Sequence, residues 1–243
     1  MTNVMSKALL EKIRTRQACV SVIGLGYVGL PLAVEFAKAG LKTIAFDIDV
    51  DKVEQLRQGK SYIGDVPNGE IQAVTTKGYL TATTDFSQLA DVDTIDICVP
   101  TPLRKTRDPD LSYVVSAVDE IAKYLHAGQL VVLESTTYPG TVEEVVRPKL
   151  EAGGLKAGEN FYLAFSPERV DPGNVDWNTR NIPKVVGGVN EISTKVAALL
   201  YEQIVDSVVP VSSTTVAETV KLLENTFRAV NIGLANELAL MCA

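Results

Sequence analysis

A chain of 243 residues, 46% of them hydrophobic, has enough apolar side chain to build one large domain or two small ones. Its formal net charge is -7, and its 23 Lys and Arg are scattered, which argues against nucleic acid or an anionic membrane surface as the main partner. No apolar run reaches the length of a membrane span, and residues 1–17 lack the apolar core and small-residue cleavage site of a secretory signal.

In chain order, Leu9, Leu10 and Ile13 at helical spacing mark a short amphipathic lead-in within residues 1–17. A strand-like run, 19–23, then leads into Gly24-Leu25-Gly26-Tyr27-Val28-Gly29, a helix-like stretch to Ala39 and a second apolar run that ends at Asp47. Strand, glycines, helix, strand and acid in this order, with the acid about 20 residues on, form a dinucleotide fingerprint. Gly24 allows the tight turn, Gly26 lets the backbone approach a pyrophosphate, and Gly29 lets helix and strand pack closely. The helix N-terminus offers N–H groups to the phosphates. Asp47 is suited to accept hydrogen bonds from the adenosine ribose and to repel a 2′-phosphate, so NAD is expected rather than NADP.

Further strands are expected at 43–46, 94–99, 130–134, 161–165, 184–187 and 207–211, and helices at 27–39, 50–58, 113–124, 142–151 and 192–204. Most of the strands are short and apolar on both faces, as in a doubly wound, mostly parallel, Rossmann-like α/β sheet. Ligands of such sheets lie beyond the C-terminal strand ends. Three loops fall there: Val99-Pro100-Thr101-Pro102, Glu134 through Thr141 with Thr136, and Phe165-Ser166-Pro167-Glu168-Arg169. The first two offer hydroxyls to a nicotinamide ribose or a reacting hydroxyl; the third sets a carboxylate beside a guanidinium. The alternative for each is structural: Thr101 and Thr136 as helix caps, Glu168 and Arg169 as an exposed pair of little worth. Cys19 and Cys98 lie in strand-like runs and, with Cys242, read as reduced thiols of a cytoplasmic protein rather than disulfides or metal ligands. No metal is expected. His126, before a glycine turn, is expected at the surface.

Residues 214–241 contain no Pro and one Gly, Gly233. Val216, Val220, Leu223, Phe227, Val230, Leu234, Leu238 and Met241 recur at steps of three and four, and Ser212 or Ser213 can cap the start. The stripe implies a helix of about 40 Å, a spine between domains or a dimer-forming element. The expected organisation is a lead-in at 1–17, an NAD-binding domain at 18–211, and the start of a spine helix at 212–243. Because the helical pattern is still running at Ala243, the chain is expected to be the N-terminal part of a longer protein. Lys221 and Asn225, four apart, share a helix face. Together they are suited to a substrate oxygen, the lysine relaying a proton or stabilising negative charge and the amide holding a hydroxyl or water. A solvated polar face is the alternative.

The runs VIGLGYVGLPLA, FDIDVDKV, CVPTP, ESTTYPGT, FSPERVDPG and ETVKLLENTFRAVNIGLANE, from about Cys19 onward, resemble the UDP-glucose/GDP-mannose dehydrogenase family. The forms FSPERxDPG, YPGT and PVSSTxxAE look most like the UDP-N-acetylglucosamine 6-dehydrogenase branch, with UDP-N-acetylmannosamine and UDP-glucose dehydrogenases as alternatives. The resemblance implies two NAD-dependent oxidations at C6 of a UDP-sugar, alcohol to carboxylate, for surface polysaccharide synthesis; the length of the spine helix adds the expectation of a homodimer or higher oligomer formed through it. It implies cofactor contacts at Tyr27, Val28, Asp47, Lys52, Thr101 and Thr136, and a catalytic role for Thr136. Glu168 matches the carboxylate that serves hydrolysis of the covalent intermediate, Arg169 and Val170 match substrate contacts, Lys221 the proton donor and acceptor, and Asn225 the amide that holds substrate or water. One departure stands out. The family's GxGxGGxCxPxD segment, which carries the nucleophilic cysteine, is not in these residues, so the nucleophile and the UDP-binding domain are expected outside them and the chain alone is expected to be inactive. Two other readings are a two-electron β-hydroxyacid dehydrogenase, which also pairs Lys and Asn on a long helix but carries a glycine-rich loop in place of ESTTYPGT, and an NAD-binding module without turnover.

Overall fold

The computed structural model describes residues 4–105, 108–169 and 180–242. Eight strands form one sheet: β1 (Cys19–Ile23), β2 (Lys42–Phe46), β3 (Leu80–Thr83), β4 (Thr94–Ile97), β5 (Leu130–Leu133), β6 (Tyr162–Phe165), β7 (Lys184–Gly188) and β8 (Val208–Val211). Their order is β3-β2-β1-β4-β5-β6-β7-β8. All neighbours are parallel except β6 and β7, which run antiparallel with Ala164 opposite Gly188 and Phe165 opposite Gly187. Every residue of β4, β5 and β6 is buried, so these strands need apolar side chains on both faces.

Alternate residues feed two cores. Val20, Val22, Ala45, Val132 and Ala164 face one layer, built with α1 (Val4–Arg14), α2 (Gly29–Lys38), α3 (Val50–Arg57), α4 (Asn68–Thr76) and α7 (Glu191–Tyr201). Ile23, Ile44, Ile95, Val131 and Leu163 face the other, built with α5 (Ser112–Tyr124) and the helix at 142–151. The lead-in α1 buries Leu9, Leu10 and Ile13 and packs on α7. His126 is exposed.

The observed elements depart from the expected ones in two ways. The segment 142–151 is not one regular helix: Val142–Val146 is a π turn, closed by the Arg147 N–H on Val142 O, and only Arg147–Glu151 is α-helical, here α6. Pro148 has no N–H to give to a carbonyl four residues back, which favours the change of winding at this point. The strand β3 and the helix α4 have no counterpart in the expected elements. Leu80–Thr83 is half threonine with no apolar run, and α4 buries only Ile71 and Val74.

The last helix, α8 (Thr214–Cys242), starts where Ser213 Oγ accepts the Val216 N–H at 3.2 Å. It docks by its first turns, burying Thr214, Ala217 and Glu218. The apolar stripe lies on another face, with Phe227 70% and Met241 80% exposed within this chain. Among the described residues no helix is long and apolar enough to cross a membrane.

Candidate active site

At the end of β1, Gly24 takes φ +91°, in the left-handed region. A Cβ there would lie 2.8 Å from the Cys98 carbonyl oxygen, and one at Gly29 would overlap the Gly24 carbonyl. Gly26 differs, because nothing lies within 4 Å of where its Cβ would be. Its backbone is bare to the cleft, and α2 has Val28 at its N-cap position, with no side-chain cap on its first N–H groups. A bare glycine beside an uncapped helix start fits a pyrophosphate. Asp47, at the end of β2, is buried and gripped by the same turn: its Oδ2 accepts the Leu25 N–H at 2.8 Å and its Oδ1 the Asp49 N–H at 3.0 Å. Lys52 Nζ stands 3.3 Å from Asp47 Oδ2. Tyr27 is exposed and Val28 half-buried at the mouth of α2.

Gly24, Gly26, Asp47 and Lys52 line a cavity of about 770 Å³, within the range of cofactor sites. Its far wall, Thr84 and Phe86 after β3 and Tyr113 and Ala117 on α5, was not among the expected site residues. Thr84 and Phe86 follow once β3 is known, since a loop after a parallel strand lies on the same edge as Gly24 and Asp47.

The loops after β4, β5 and β6 meet at this edge. Neither Thr101 nor Thr136 caps a helix: the N-cap positions of α5 and of the π turn are Leu111 and Thr141. Thr101 is half-buried and Thr136 exposed. Ser135 Oγ donates to Val99 O at 2.7 Å, tying the β5 loop to the β4 loop. Glu218 of α8 holds the other end of the β5 loop, accepting the Gly140 N–H at 2.6 Å and the Val142 N–H at 3.0 Å. One turn on, Lys221 Nζ donates to the Glu168 carbonyl oxygen, and burial lowers the pKa of this lysine below its ordinary value. Arg169 pairs with Glu224 on α8, and its Nη1 donates to Pro183 O at 2.7 Å, so it is no exposed pair with Glu168. Asn225 lies exposed on α8, next to Glu224. Val170 falls outside the described residues.

A buried network behind the site was not anticipated. Lys184 Nζ on β7 lies 2.7 Å from Glu134 Oε2 and 3.2 Å from Glu168 Oε2. Tyr201 OH on α7 contacts Glu134 Oε1 and, at 2.7 Å, Asp96 Oδ1 of β4. One phenolic proton cannot serve two carboxylates, so Asp96 and Glu134 together hold a further proton. Burial and the neighbouring Glu134 charge push the Asp96 carboxyl well above the usual carboxylate range. Burial alone would discharge Lys184, but Glu134 and Glu168 outweigh it and keep the ammonium charged. The signal in the sequence was a charged residue inside an apolar strand, Asp96 in TIDI and Lys184 in KVVGG.

None of the cysteines resembles an activated nucleophile. Cys98 is buried under the glycine turn, and burial pushes its thiol well above the usual value. Cys19 opens β1, at the edge away from the cleft, and is also raised by burial. Cys242 is exposed at the far end of α8. Among the described residues no cluster of three or more His, Cys, Asp or Glu is set to hold a metal.

Sequence models of the UDP-glucose/GDP-mannose dehydrogenase family match the chain over residues 18–205, the NAD binding domain, and 215–243, the central domain. A UDP-N-acetyl-D-mannosamine dehydrogenase of Pyrococcus horikoshii is 39% identical over 223 residues, covering 91% of this chain and 53% of that protein. A UDP-N-acetyl-D-glucosamine 6-dehydrogenase of Pseudomonas aeruginosa is 40% identical over 224 residues, covering 91% and 52%. The solved structure of the Pyrococcus horikoshii UDP-D-ManNAc dehydrogenase is similar with a TM-score of 0.86, at 38% identity, over 92% of this chain and 53% of that one. The chain spans about half the length of the curated relatives it matches.

Proposed function

The chain belongs to the UDP-glucose/GDP-mannose dehydrogenase family, and from that premise we propose that it serves the NAD-dependent oxidation of the C6 hydroxyl of a UDP-N-acetylhexosamine, UDP-N-acetylglucosamine first, to the uronic acid for surface polysaccharide synthesis. The observation that carries this reading is the meeting of Lys221 and Glu168 on the same strand edge as the Gly24–Asp47 turn. Relatives named for the glucosamine and the mannosamine substrates match almost equally, so the choice of sugar rests on the FSPERxDPG and YPGT forms.

Bound NAD supplies the hydride acceptor. The Gly26 backbone and the start of α2 would hold its pyrophosphate and Asp47 its adenosine ribose, with Tyr27, Val28 and Lys52 as further contacts. Thr101 and Thr136, on the loops after β4 and β5, are assigned the hydroxyl contacts at its reacting end. Lys221, its proton affinity lowered by burial, takes the proton of the C6 hydroxyl, and Asn225 holds that oxygen or a water. Glu168 activates the hydrolytic water, and Arg169 and Val170 orient the sugar nucleotide. The second oxidation needs a nucleophile that turns the aldehyde into a tetrahedral hydride donor, and we assign that role to none of Cys19, Cys98 and Cys242. We take 18–211 as the NAD-binding unit and 212–243 as the start of the spine. The reduced thiols fit a cytoplasmic enzyme, and the exposed α8 stripe fits a homodimer or larger assembly.

Active enzyme offered UDP-N-acetylglucosamine is expected to form two NADH per sugar, and faster than with UDP-N-acetylmannosamine or UDP-glucose. One NADH per sugar would favour two-electron chemistry instead. Lys221→Ala is expected to lower turnover about 100- to 1000-fold with NAD affinity nearly intact; near-normal turnover would return Lys221 to a solvated polar face.

A further inference from the structure

We propose that Lys184 is a positioning residue for Glu168: its buried ammonium fixes the Glu168 carboxylate at the end of β6, as Lys221 fixes the carbonyl of the same residue. The proposal deepens the reading of Glu168 as the water-activating carboxylate and rests on it.

The geometry comes from the one antiparallel pair in the sheet. Continuing the register of Ala164 with Gly188 and Phe165 with Gly187 sets residue 184 opposite residue 168. A parallel β7 would send that end of the strand to the other edge. The loop and the strand are fastened at two adjacent points, Arg169 Nη1 to Pro183 O at 2.7 Å and Lys184 Nζ to Glu168 Oε2 at 3.2 Å.

The lysine is itself held in place. Its side chain is 6% exposed and Glu134 is fully buried beside it, so the ammonium has a counter-charge without Glu168. Glu134 is pinned in turn by Tyr201 OH, which also contacts Asp96. The Lys184 ammonium lies 5.0 Å from the Tyr201 ring centroid, a further contact that restricts it. The result is a fixed cation, anchored in the core by Glu134, Tyr201 and Asp96, presented to a carboxylate at the edge of the site. Lys221 of α8 and Glu134 at the end of β5 also interact electrostatically with Glu168, and Lys221 in turn feels Glu224, Arg228 and Arg169. Lys184 is joined to a Glu168 carboxylate oxygen by an ion pair. A bound opposite charge at this distance favours the ionised carboxylate.

The test needs no turnover. The Arg169 N–H donates to Glu168 Oε1 at 2.9 Å, so its amide resonance follows the ionisation of that carboxyl. In the isotope-labelled 243-residue chain, Glu168→Gln should abolish the titration of this amide, which assigns it. Lys184→Met should raise its midpoint by about one to three pH units. That variant strands Glu134 without its cation, so the paired Lys184→Met, Glu134→Leu chain, which removes both charges, is measured beside it and should move in the same direction by less. In the unsubstituted chain the Lys184 ammonium resonance should titrate together with the Arg169 amide. An unchanged or acid-shifted midpoint in a folded variant, or independent titration of the two resonances in the unsubstituted chain, overturns the proposal. Full turnover in Glu168→Gln would instead remove the catalytic reading of Glu168 and leave the titration result standing.

Discussion

Asp96 stands at a fully buried position of β4, between Ile95 and Ile97, and shares a proton with Glu134 through Tyr201. Its carboxyl is raised by burial and by the Glu134 charge. A group whose folded-state pKa exceeds its unfolded one stabilises the fold fully below the unfolded value, and that stability is lost as pH rises through the folded value. Asp96→Asn has no proton to keep. The variant is therefore expected to match the parent near about pH 4 and to gain on it toward neutral pH, by on the order of 1 kcal/mol per pH unit. Urea unfolding at several pH values checks this, and parallel curves for the two chains would mean that Asp96 is ionised in the fold. The same scale explains the cysteines: strand burial that makes Cys98 a good core residue makes it a poor thiolate.

Helix α8 is joined to the sheet by charge as much as by apolar contact. Glu218 is the clearest case, a fully buried carboxylate whose oxygens take the Gly140 and Val142 N–H groups and so hold the Thr136 loop against the helix that carries Lys221. Glu218→Ala leaves two buried donors without acceptors and is expected to cost about 1–3 kcal/mol, read as a lower urea midpoint, while Glu218→Gln keeps one acceptor oxygen and loses less. Equal midpoints for parent and Glu218→Ala would show that the loop is held otherwise. Elements of this kind were legible to different degrees. The glycine turn and Asp47 were readable because the fingerprint is local: strand, turn, helix and acid are contiguous. The tie from Glu218 was not, because nothing in the ETVKLLEN run marks one carboxylate as buried. The strand β3 escaped for another reason: Leu80-Thr81-Ala82-Thr83 alternates over four residues only, with a small alanine as its second apolar side chain.

At the scale of the molecule, parallel pairing brings Gly24, Asp47, Thr101, Thr136 and Glu168 from five separate loops to one edge, which is why their meeting was predictable from strand order alone. The Asp96, Glu134, Lys184 and Tyr201 network depended on register and on the reversal of β7, and neither is encoded in local pattern. The apolar stripe of α8, with Phe227, Val230, Leu234, Leu238 and Met241 all exposed, is left uncovered among the described residues. The chain is expected to self-associate through it, and Phe227→Asp with Leu234→Asp is expected to give a monomer by sedimentation; a parent chain monomeric at every concentration would contradict this. We propose that the Gly24–Asp47 turn is an NAD site that rejects a 2′-phosphate. Fluorescence titration of this chain with NADH and with NADPH is the decisive measurement. NADH is expected to bind more tightly, with Asp47→Ala narrowing the gap by weakening NADH more than NADPH, whereas equal affinities for the two cofactors would overturn the Asp47 assignment.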